Sequence, residues 1–206
     1  MTKGVTECLF PIPIHISDDY KLDSKKKDNL IKDTKERHQR NQNGNIVSIN
    51  NKVLDIPYLS DLKKNLMEQI NNYVYEVLCI TKSVEVYITQ SWLNINPSDT
   101  SHHSHHHPNS LISGTYYLQG NTPITFVHNT EIFQNFSFDF TERNYFNTEL
   151  CDVTVQEGRC ILFPSVLVHA VNPNKNKEER ISLSFNTFLR GDLTTSEGQV
   201  TELTLK

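Results

Sequence analysis

Five of the nine histidines in this 206-residue chain lie within six consecutive positions, in the segment SHHSHHHPNS at residues 101–110. Imidazole nitrogen is a good ligand for iron, zinc, copper and nickel. Because residues i and i+2 of a strand point to the same side, His105 and His107 can face one interior together. His103 shares that face and His106 points away. The run predicts a metal site, with a loosely metal-binding surface tract as the alternative.

A third ligand has to come from elsewhere in the chain, because two imidazoles alone hold a metal weakly. His169 is the candidate, since it stands alone in the apolar segment GRCILFPSVLVHAV at residues 158–171. An isolated histidine of this kind is usually a half-buried side chain with satisfied hydrogen bonds. Its position downstream of a His-X-His pair favours a role as a ligand instead.

The segment RISLSFN at residues 180–186 alternates between polar and apolar side chains. In a strand this alternation puts Arg180, Ser182 and Ser184 on one face and the apolar residues on the other. Arginine binds a carboxylate through two parallel hydrogen bonds, and a hydroxyl adds another. We therefore expect this face to bind an anion, with an ordinary solvent-facing strand as the alternative.

Two helices are predicted ahead of these segments. The polar segment at residues 21–45 predicts an exposed helix that ends near Gly44. For the second helix, Ser60 is a plausible N-cap with Asp61 in the first turn. Apolar residues then recur three or four positions apart, which places them on one helical face that should pack on a sheet. These residues are Leu62, Leu66, Ile70, Tyr73 and Val77.

From residue 84 onward the chain consists of short segments rich in β-branched and aromatic residues, separated by Gly, Pro, Asn and Asp. Many short strands after two helices predict an α+β chain, mainly β, that ends in a sandwich or barrel able to hold a small ligand. The predicted strands are VEVYITQSWLNI, SGTYYL, ITFV, CDVTV, RCILF and RISLSFNTFL.

The length suits one domain over residues 1–206, with an N-terminal strand and helices at 1–80, a β-rich core at 84–190 and a C-terminal tail or strand at 191–206. A net charge of −4 and a pI near 6.1 make a nucleic-acid partner an unfavoured interpretation. The chain has no apolar run of membrane length, and its four cysteines form no CxxC pair. We expect reduced thiols, a cytoplasmic protein without a membrane partner, and a homodimer as one open quaternary state.

Several motifs, in order, resemble those of the Fe(II)/2-oxoglutarate-dependent oxygenases, and in particular the small members found in bacteria and phages. The motifs are QSWLNI, HHHPNSLISGTYYL and QEGRCILFPSVLVHAVNPNKNKEERISLSFN. The resemblance covers residues 85–190, about half of the chain. It implies a double-stranded β-helix, the jelly-roll or cupin-like barrel, with the N-terminal helices packed on the sheet and Fe(II) at one mouth.

The resemblance also implies roles for single residues. The metal ligands of the family fall on His105, His107 and His169. The arginine that binds the remote carboxylate of the cosubstrate 2-oxoglutarate falls on Arg180, assisted by Ser182. Tyr117 corresponds to a tyrosine that often forms a hydrogen bond with the same carboxylate. Asn94 would lie on a neighbouring strand and face the cosubstrate.

One position departs from the family pattern, because His107 stands where an aspartate is usual. Three neutral ligands would leave a bound Fe(II) with one more positive charge than the two-His-one-carboxylate set. A three-histidine centre is one possibility. A second possibility is that a carboxylate completes the site. A third is that His103 and His105, instead of His105 and His107, form the His-X-His pair that binds the metal. His128 is a further candidate ligand, ranked low because it lies on a separate predicted strand. The candidate carboxylates are Glu131, Asp139 and Asp152.

The implied activity is a dioxygenase reaction that hydroxylates an unidentified substrate and converts 2-oxoglutarate into succinate. A cupin-type three-histidine oxygenase that does not use 2-oxoglutarate is one alternative. EGRCILFP has the glycine and proline spacing of cupins, but no glutamate follows the His-X-His pair. A jelly-roll protein that binds without catalysis is the other. The segment at residues 128–150 is a predicted substrate loop.

Overall fold

The computed structural model describes residues 4–7, 9–128, 138–193 and 203–206. The helices are α1 (Ser24–Glu36) and α2 (Ser60–Asn71). The strands are β1 (His15–Ile16), β2 (His38–Arg40), β3 (Ile46–Ser48), β4 (Val84–Asn96), β5 (His102–His105), β6 (Ile112–Gln119), β7 (Ile124–Val127), β8 (Leu150–Val153), β9 (Cys160–Pro164), β10 (His169–Val171), β11 (Arg180–Asp192) and β12 (Thr204–Leu205). Among the described residues, no helix is long and apolar enough to cross a membrane.

Two antiparallel sheets form the described core. The larger runs in the order β1-β9-β6-β11-β4-β3-β2, with β12 paired to β11, and the smaller runs β5-β10-β7-β8. Apolar side chains of β6, β7 and β9 pack together between the two sheets, and α2 packs on the opposite face of the larger sheet. The predicted jelly-roll with helices packed on its sheet is therefore confirmed.

The long strand β11 lies between β4 and β6, and its alternation determines what faces the interior. Ile181, Leu183 and Phe185 are buried toward the helices. The polar side chains of the same strand point to the other side, between the two sheets, where they are also buried. A strand with both faces covered thus carries apolar residues on one face and polar residues on the other.

Gly114 of β6 explains why the motif has a glycine before its two tyrosines. A Cβ atom at this position would lie 2.2 Å from Cζ of Phe185 and 2.8 Å from Cδ2 of Leu162. The absence of a side chain lets these two apolar residues of the neighbouring strands meet over β6.

The first helix ends earlier than predicted. It closes at Glu36, where the Arg37 N–H donates to the Asp33 carbonyl, and does not continue to the vicinity of Gly44. Residues after it form β2 and β3 instead, because β3 extends the larger sheet by pairing with β4. Gly44 lies in the connecting turn with a φ of +81°.

The second helix also differs from its predicted form. Its N-cap is Leu59, and Ser60 has helical dihedrals, so the predicted Ser60 cap was wrong. Residues Asn72–Val77 form a π-helical turn, in which the Leu78 N–H bonds the Tyr73 carbonyl. The wider turn rotates Val77 off the buried face, and its side chain is 49% exposed.

Candidate active site

Three histidines from separate parts of the fold converge at one end of the space between the sheets. His105 is the last residue of β5, His107 follows in the loop, and His169 is the first residue of β10. Antiparallel pairing of β5 with β10 sets His169 directly opposite His105. One ligand nitrogen from each of the three lies within 4.8 Å of the others.

Each of these rings is oriented by an acceptor at its Nδ1 atom. His105 Nδ1 lies 2.8 Å from the His103 carbonyl, and His169 Nδ1 lies 3.0 Å from the Leu167 carbonyl. His107 Nδ1 contacts Oδ1 of Asn186. Because these partners are acceptors, each Nδ1 carries the proton, and each Nε2 presents a free lone pair.

The contact between two of these Nε2 atoms provides a test of whether a cation fits. His105 Nε2 and His107 Nε2 are 3.1 Å apart. Two unprotonated nitrogens repel each other at this separation, and a cation between them removes the repulsion. Two imidazole nitrogens bound about 2.1 Å from one metal at a right angle would be about 3.0 Å apart. The donor set therefore fits a metal ion.

The histidines are kept in the neutral form that binds metals. Burial lowers the pKa of His169 to about 3, and nearby imidazoles reinforce the effect. Burial likewise lowers the pKa of His105 and of His107. At neutral pH the three side chains can therefore bind a cation without first losing protons.

The pocket beside these histidines encloses about 390 Å³, its open mouth included. Most of its polar wall comes from alternate residues of β11 and the residues of β4 and β6 that pair with them. The lining residues are Trp92, Asn94, Asn96, His102, His105, His107, Thr115, Ile124, His169, Val171, Arg180, Ser182 and Ser184.

Arg180 supplies the positive charge of this pocket. Its side chain is buried, Nε donates to the Thr122 carbonyl at 3.0 Å, and a terminal nitrogen donates to Ser182 Oγ at 3.1 Å. Among the described residues, no carboxylate forms an ion pair with it. A buried cation is normally paired, and this guanidinium has no acidic partner among the described residues.

Tyr117 lies beside Arg180, and Asn94 lines the pocket. The Arg180 guanidinium carbon lies 5.1 Å from the centre of the Tyr117 ring. Burial raises the pKa of Tyr117 to about 12, and the neighbouring Arg180 guanidinium opposes this shift. The Tyr117 hydroxyl lies near that guanidinium, but among the described residues no partner reaches it with full hydrogen-bond geometry. Asn94 donates to Ser184 Oγ at 3.1 Å and accepts from Asn45.

Among the described residues, none of the alternative metal ligands joins this cluster. Asp139 and His128 are exposed. Asp152 accepts a hydrogen bond from Thr125, which lies on the strand face opposite His169. Glu131 lies outside the described residues. His103 belongs to a second group of histidines that shares only His105 with the first.

Sequence reasoning missed the residues that orient His107. Ser113 Oγ lies 3.1 Å from His107 Nδ1 and donates to Asn186 Oδ1 at 2.9 Å. Asn186 falls on the same face of β11 as Arg180, so the alternation could have identified it. The ring centre of Trp92 lies 5.7 Å from that of His107. The positions of Ser113 and Trp92 near His107 result from strand pairings that the sequence does not reveal.

Comparison with known proteins agrees with this arrangement. Residues 90–186 match the family described as "Putative 2OG-Fe(II) oxygenase". The match spans the three histidines and Arg180, and the family resemblance seen in the sequence motifs is confirmed for this segment. No curated protein matches the chain in sequence.

Solved structures of the same fold cover most of the chain at low identity. A 2OG-Fe(II) oxygenase family oxidoreductase from Burkholderia pseudomallei is 13% identical with a TM-score of 0.56, over 84% of this chain and 83% of its own. A Pseudomonas putida prolyl-4-hydroxylase is 14% identical with a TM-score of 0.56, over 85% and 92%. The epimerase SnoN, in complex with Fe3+, alpha ketoglutarate and nogalamycin RO, is 12% identical with a TM-score of 0.55, over 89% and 86%.

Proposed function

We propose that this chain, which carries the core segment of the 2OG-Fe(II) oxygenases, is an Fe(II)- and 2-oxoglutarate-dependent dioxygenase. We infer that it hydroxylates a substrate still to be identified while 2-oxoglutarate is converted into succinate and CO2. One observation carries this proposal: three neutral imidazoles and an unpaired buried guanidinium line the same small pocket.

The histidine end of the pocket supports iron binding. Free Nε2 lone pairs on His105, His107 and His169 would hold the ion, and their Nδ1 partners keep the rings from rotating. Bound iron would supply the activation of O2, which no side chain of this pocket can perform. Three imidazoles would occupy only part of the coordination sphere of the ion, so cosubstrate and oxygen could bind to it as well.

The arginine end supports binding of the remote carboxylate of 2-oxoglutarate. Arg180 donates to Thr122 and Ser182, and its remaining N–H groups are available for a carboxylate. The orphan hydroxyl of Tyr117 offers a further donor beside it. Both groups lose their unfavourable buried state when a carboxylate binds, which favours a dicarboxylic cosubstrate.

Apolar residues around the histidines exclude water from the site. The ring of Phe163 lies 4.8 Å from that of His169, and Phe126 packs on both rings. A dry site strengthens the interactions of Arg180 with an anion and limits side reactions of reactive oxygen species.

The all-nitrogen ligand set favours one second candidate, a cupin-type metal oxygenase that does not use 2-oxoglutarate. The two candidates differ in the role of Arg180, since only the 2-oxoglutarate-dependent enzyme requires a carboxylate to bind there. Binding of 2-oxoglutarate without turnover would instead indicate a non-catalytic protein. The unpaired guanidinium makes the 2-oxoglutarate enzyme the better supported candidate.

Succinate formation tests the proposal at the ligand position that departs from the family. We expect Fe(II)-dependent conversion of 2-oxoglutarate into succinate by the wild type, loss of at least tenfold in His107→Ala, and retention of activity in His107→Asp. The Asp variant restores the usual carboxylate and is the matched control. Wild-type levels of succinate in His107→Ala would contradict the assignment of His107 as a ligand.

A further inference from the structure

Three members of the histidine run take no part in the centre formed by His105, His107 and His169, which we call the inner triad. His106 is exposed and belongs to no cluster among the described residues. His102 and His103, by contrast, form a second group with His105, in which one ligand nitrogen from each residue lies within 4.8 Å of the others. We call this group the outer triad.

The outer triad forms a continuous row of imidazoles with the inner one. The ring centres of His102 and His103 are 5.1 Å apart, and those of His102 and His105 are 4.5 Å apart. The row continues from His105 to His169, whose ring centres are 4.4 Å apart. No carboxylate interrupts this row in the described part of the chain.

The two ends of this row differ in exposure. His103 is exposed, His102 and His105 are half-buried, and His169 is 6% exposed. The outer triad lies on β5, an edge strand of the smaller sheet, where solvent can reach it. A cation approaching from this edge therefore meets His103 of the outer triad before it reaches the buried His169 of the inner triad.

His105 belongs to both triads, and its hydrogen bond determines which of its nitrogens can bind a metal. Its Nδ1 proton is engaged by the His103 carbonyl, so Nε2 is the nitrogen available to a metal. One nitrogen cannot bind two ions at once, so the triads are alternative positions for a single ion. An ion that moves between them exchanges two ligands and keeps the third.

We propose that the outer triad is a transient binding site for a divalent transition-metal ion on its way to the inner triad. The proposal rests on the proposed function in one respect, since it takes the inner triad as the final metal position. Among the described residues the His102 ring has no hydrogen-bond partner, so its nitrogens are available.

The kinetics of metal binding distinguish such a site from a ligand of the resident ion. A site on the route changes the association and dissociation rates by the same factor, because it alters the barrier and leaves both end states unchanged. A ligand of the resident ion changes the equilibrium constant and the spectrum. Co(II) is a suitable probe, since its visible spectrum reports coordination and it binds nitrogen ligands.

The experiment compares the wild-type chain with His103→Gln and, as the matched control, His106→Gln, using stopped-flow mixing with Co(II) and release to a chelator. We expect His103→Gln to slow association and dissociation in parallel by about tenfold, which corresponds to a barrier about 1.4 kcal/mol higher. The Kd and final spectrum should stay those of the wild type, and His106→Gln should behave as the wild type in every respect.

Unchanged rates in His103→Gln would overturn the proposal, and so would a changed Kd or final spectrum, which would make His103 a ligand of the resident ion. Equal slowing by His106→Gln would overturn it as well, by indicating a general effect of the run. A wild-type chain that gives no Co(II) spectrum would refute the inner metal centre itself, which is a distinct failure of the proposed function.

Discussion

His107 stands at the position where the family pattern has an aspartate, and neighbouring residues hold its ring in a fixed orientation. An aspartate ligand would add negative charge, whereas His107 is a neutral ring oriented by Asn186 and Ser113. Its backbone N–H also donates to the Ser165 carbonyl at 2.9 Å. These contacts fix the direction of Nε2 before any ion arrives, which lowers the entropic cost of binding.

Replacement of Asn186 by alanine should weaken metal binding. The variant removes the acceptor of the His107 Nδ1 proton, so the ring loses its fixed orientation, and we expect the Kd for Fe(II) or Co(II) to rise by 10- to about 100-fold. Anaerobic competition with a chelator measures this. Asn186→Asp keeps the acceptor and is the control; an Ala variant that binds as tightly as the wild type would show that the contact is dispensable.

The buried histidines also predict how the stability of the metal-free protein depends on pH. His169 has a pKa of about 3 when folded, well below its ordinary value of about 6.5 when unfolded. Between these values the unfolded chain binds a proton that the folded chain does not, so the free energy of unfolding falls as the pH falls. Each such histidine contributes a slope of about 1.4 kcal/mol per pH unit.

Denaturant unfolding of the metal-free chain between pH 6 and pH 4 measures this slope. The glutamine of His169→Gln cannot titrate. We therefore expect the free energy of unfolding of this variant to fall less steeply with decreasing pH than that of the wild type, by about 1.4 kcal/mol per pH unit. His106→Gln, an exposed position, should leave the slope unchanged. Identical slopes in the wild type and His169→Gln would contradict the assignment of His169 as a buried neutral histidine.

Among the elements, the strands of the core could be predicted from sequence and their partners could not. The alternation of β11 indicated the polar face from Arg180 to Ser184 because the side-chain period of a strand is local. The pairing of His169 with His105 depends on which of several strands lie side by side. That choice comes from long-range packing, so the sequence indicates which residue types meet at the site but not how their strands are aligned.

The π-helical turn after α2 was also beyond reach of the sequence. Apolar residues spaced three and four positions apart are compatible with a regular α-helix. They are equally compatible with an α-helix that ends in one π-helical turn, so the spacing does not distinguish the two. The structure then separates two residues that the pattern treated alike, since Leu66 is fully buried and Val77 is 49% exposed. The missed hairpin of β2 and β3 has a similar cause, because its strands of three residues are too short to show a period and are ordered by the sheet edge they join.

Paired substitutions test this helix. Leu66→Ala should lower the free energy of unfolding by about 2–5 kcal/mol, since it leaves a cavity under the larger sheet. Val77→Thr should change it by less than about 0.5 kcal/mol, as expected for a surface position. Urea unfolding of both variants measures the difference; comparable losses in the two would show that Val77 lies on the packed face after all.

At the scale of the whole molecule, the fold encloses a polar, charged pocket between two apolar cores. Its larger core joins the helices to one sheet face, and its smaller core lies between the sheets. Arg180 is buried in the second region without an acidic partner among the described residues. Burial of an unpaired charge costs several kcal/mol, so the molecule keeps a destabilising group whose cost a bound anion would offset.

The measurement that tests this account most directly is anaerobic titration of the Fe(II)-loaded protein with 2-oxoglutarate, followed by the weak visible charge-transfer absorption of the chelate. Wild type is compared with Arg180→Met, which should bind Fe(II) normally and unfold at no lower temperature, because it removes an unpaired buried charge. We predict the absorption band in the wild type and at least a tenfold weaker response to 2-oxoglutarate in the variant. Equal bands in both proteins would contradict the role of Arg180, and iron binding without any band in the wild type would contradict 2-oxoglutarate as the cosubstrate.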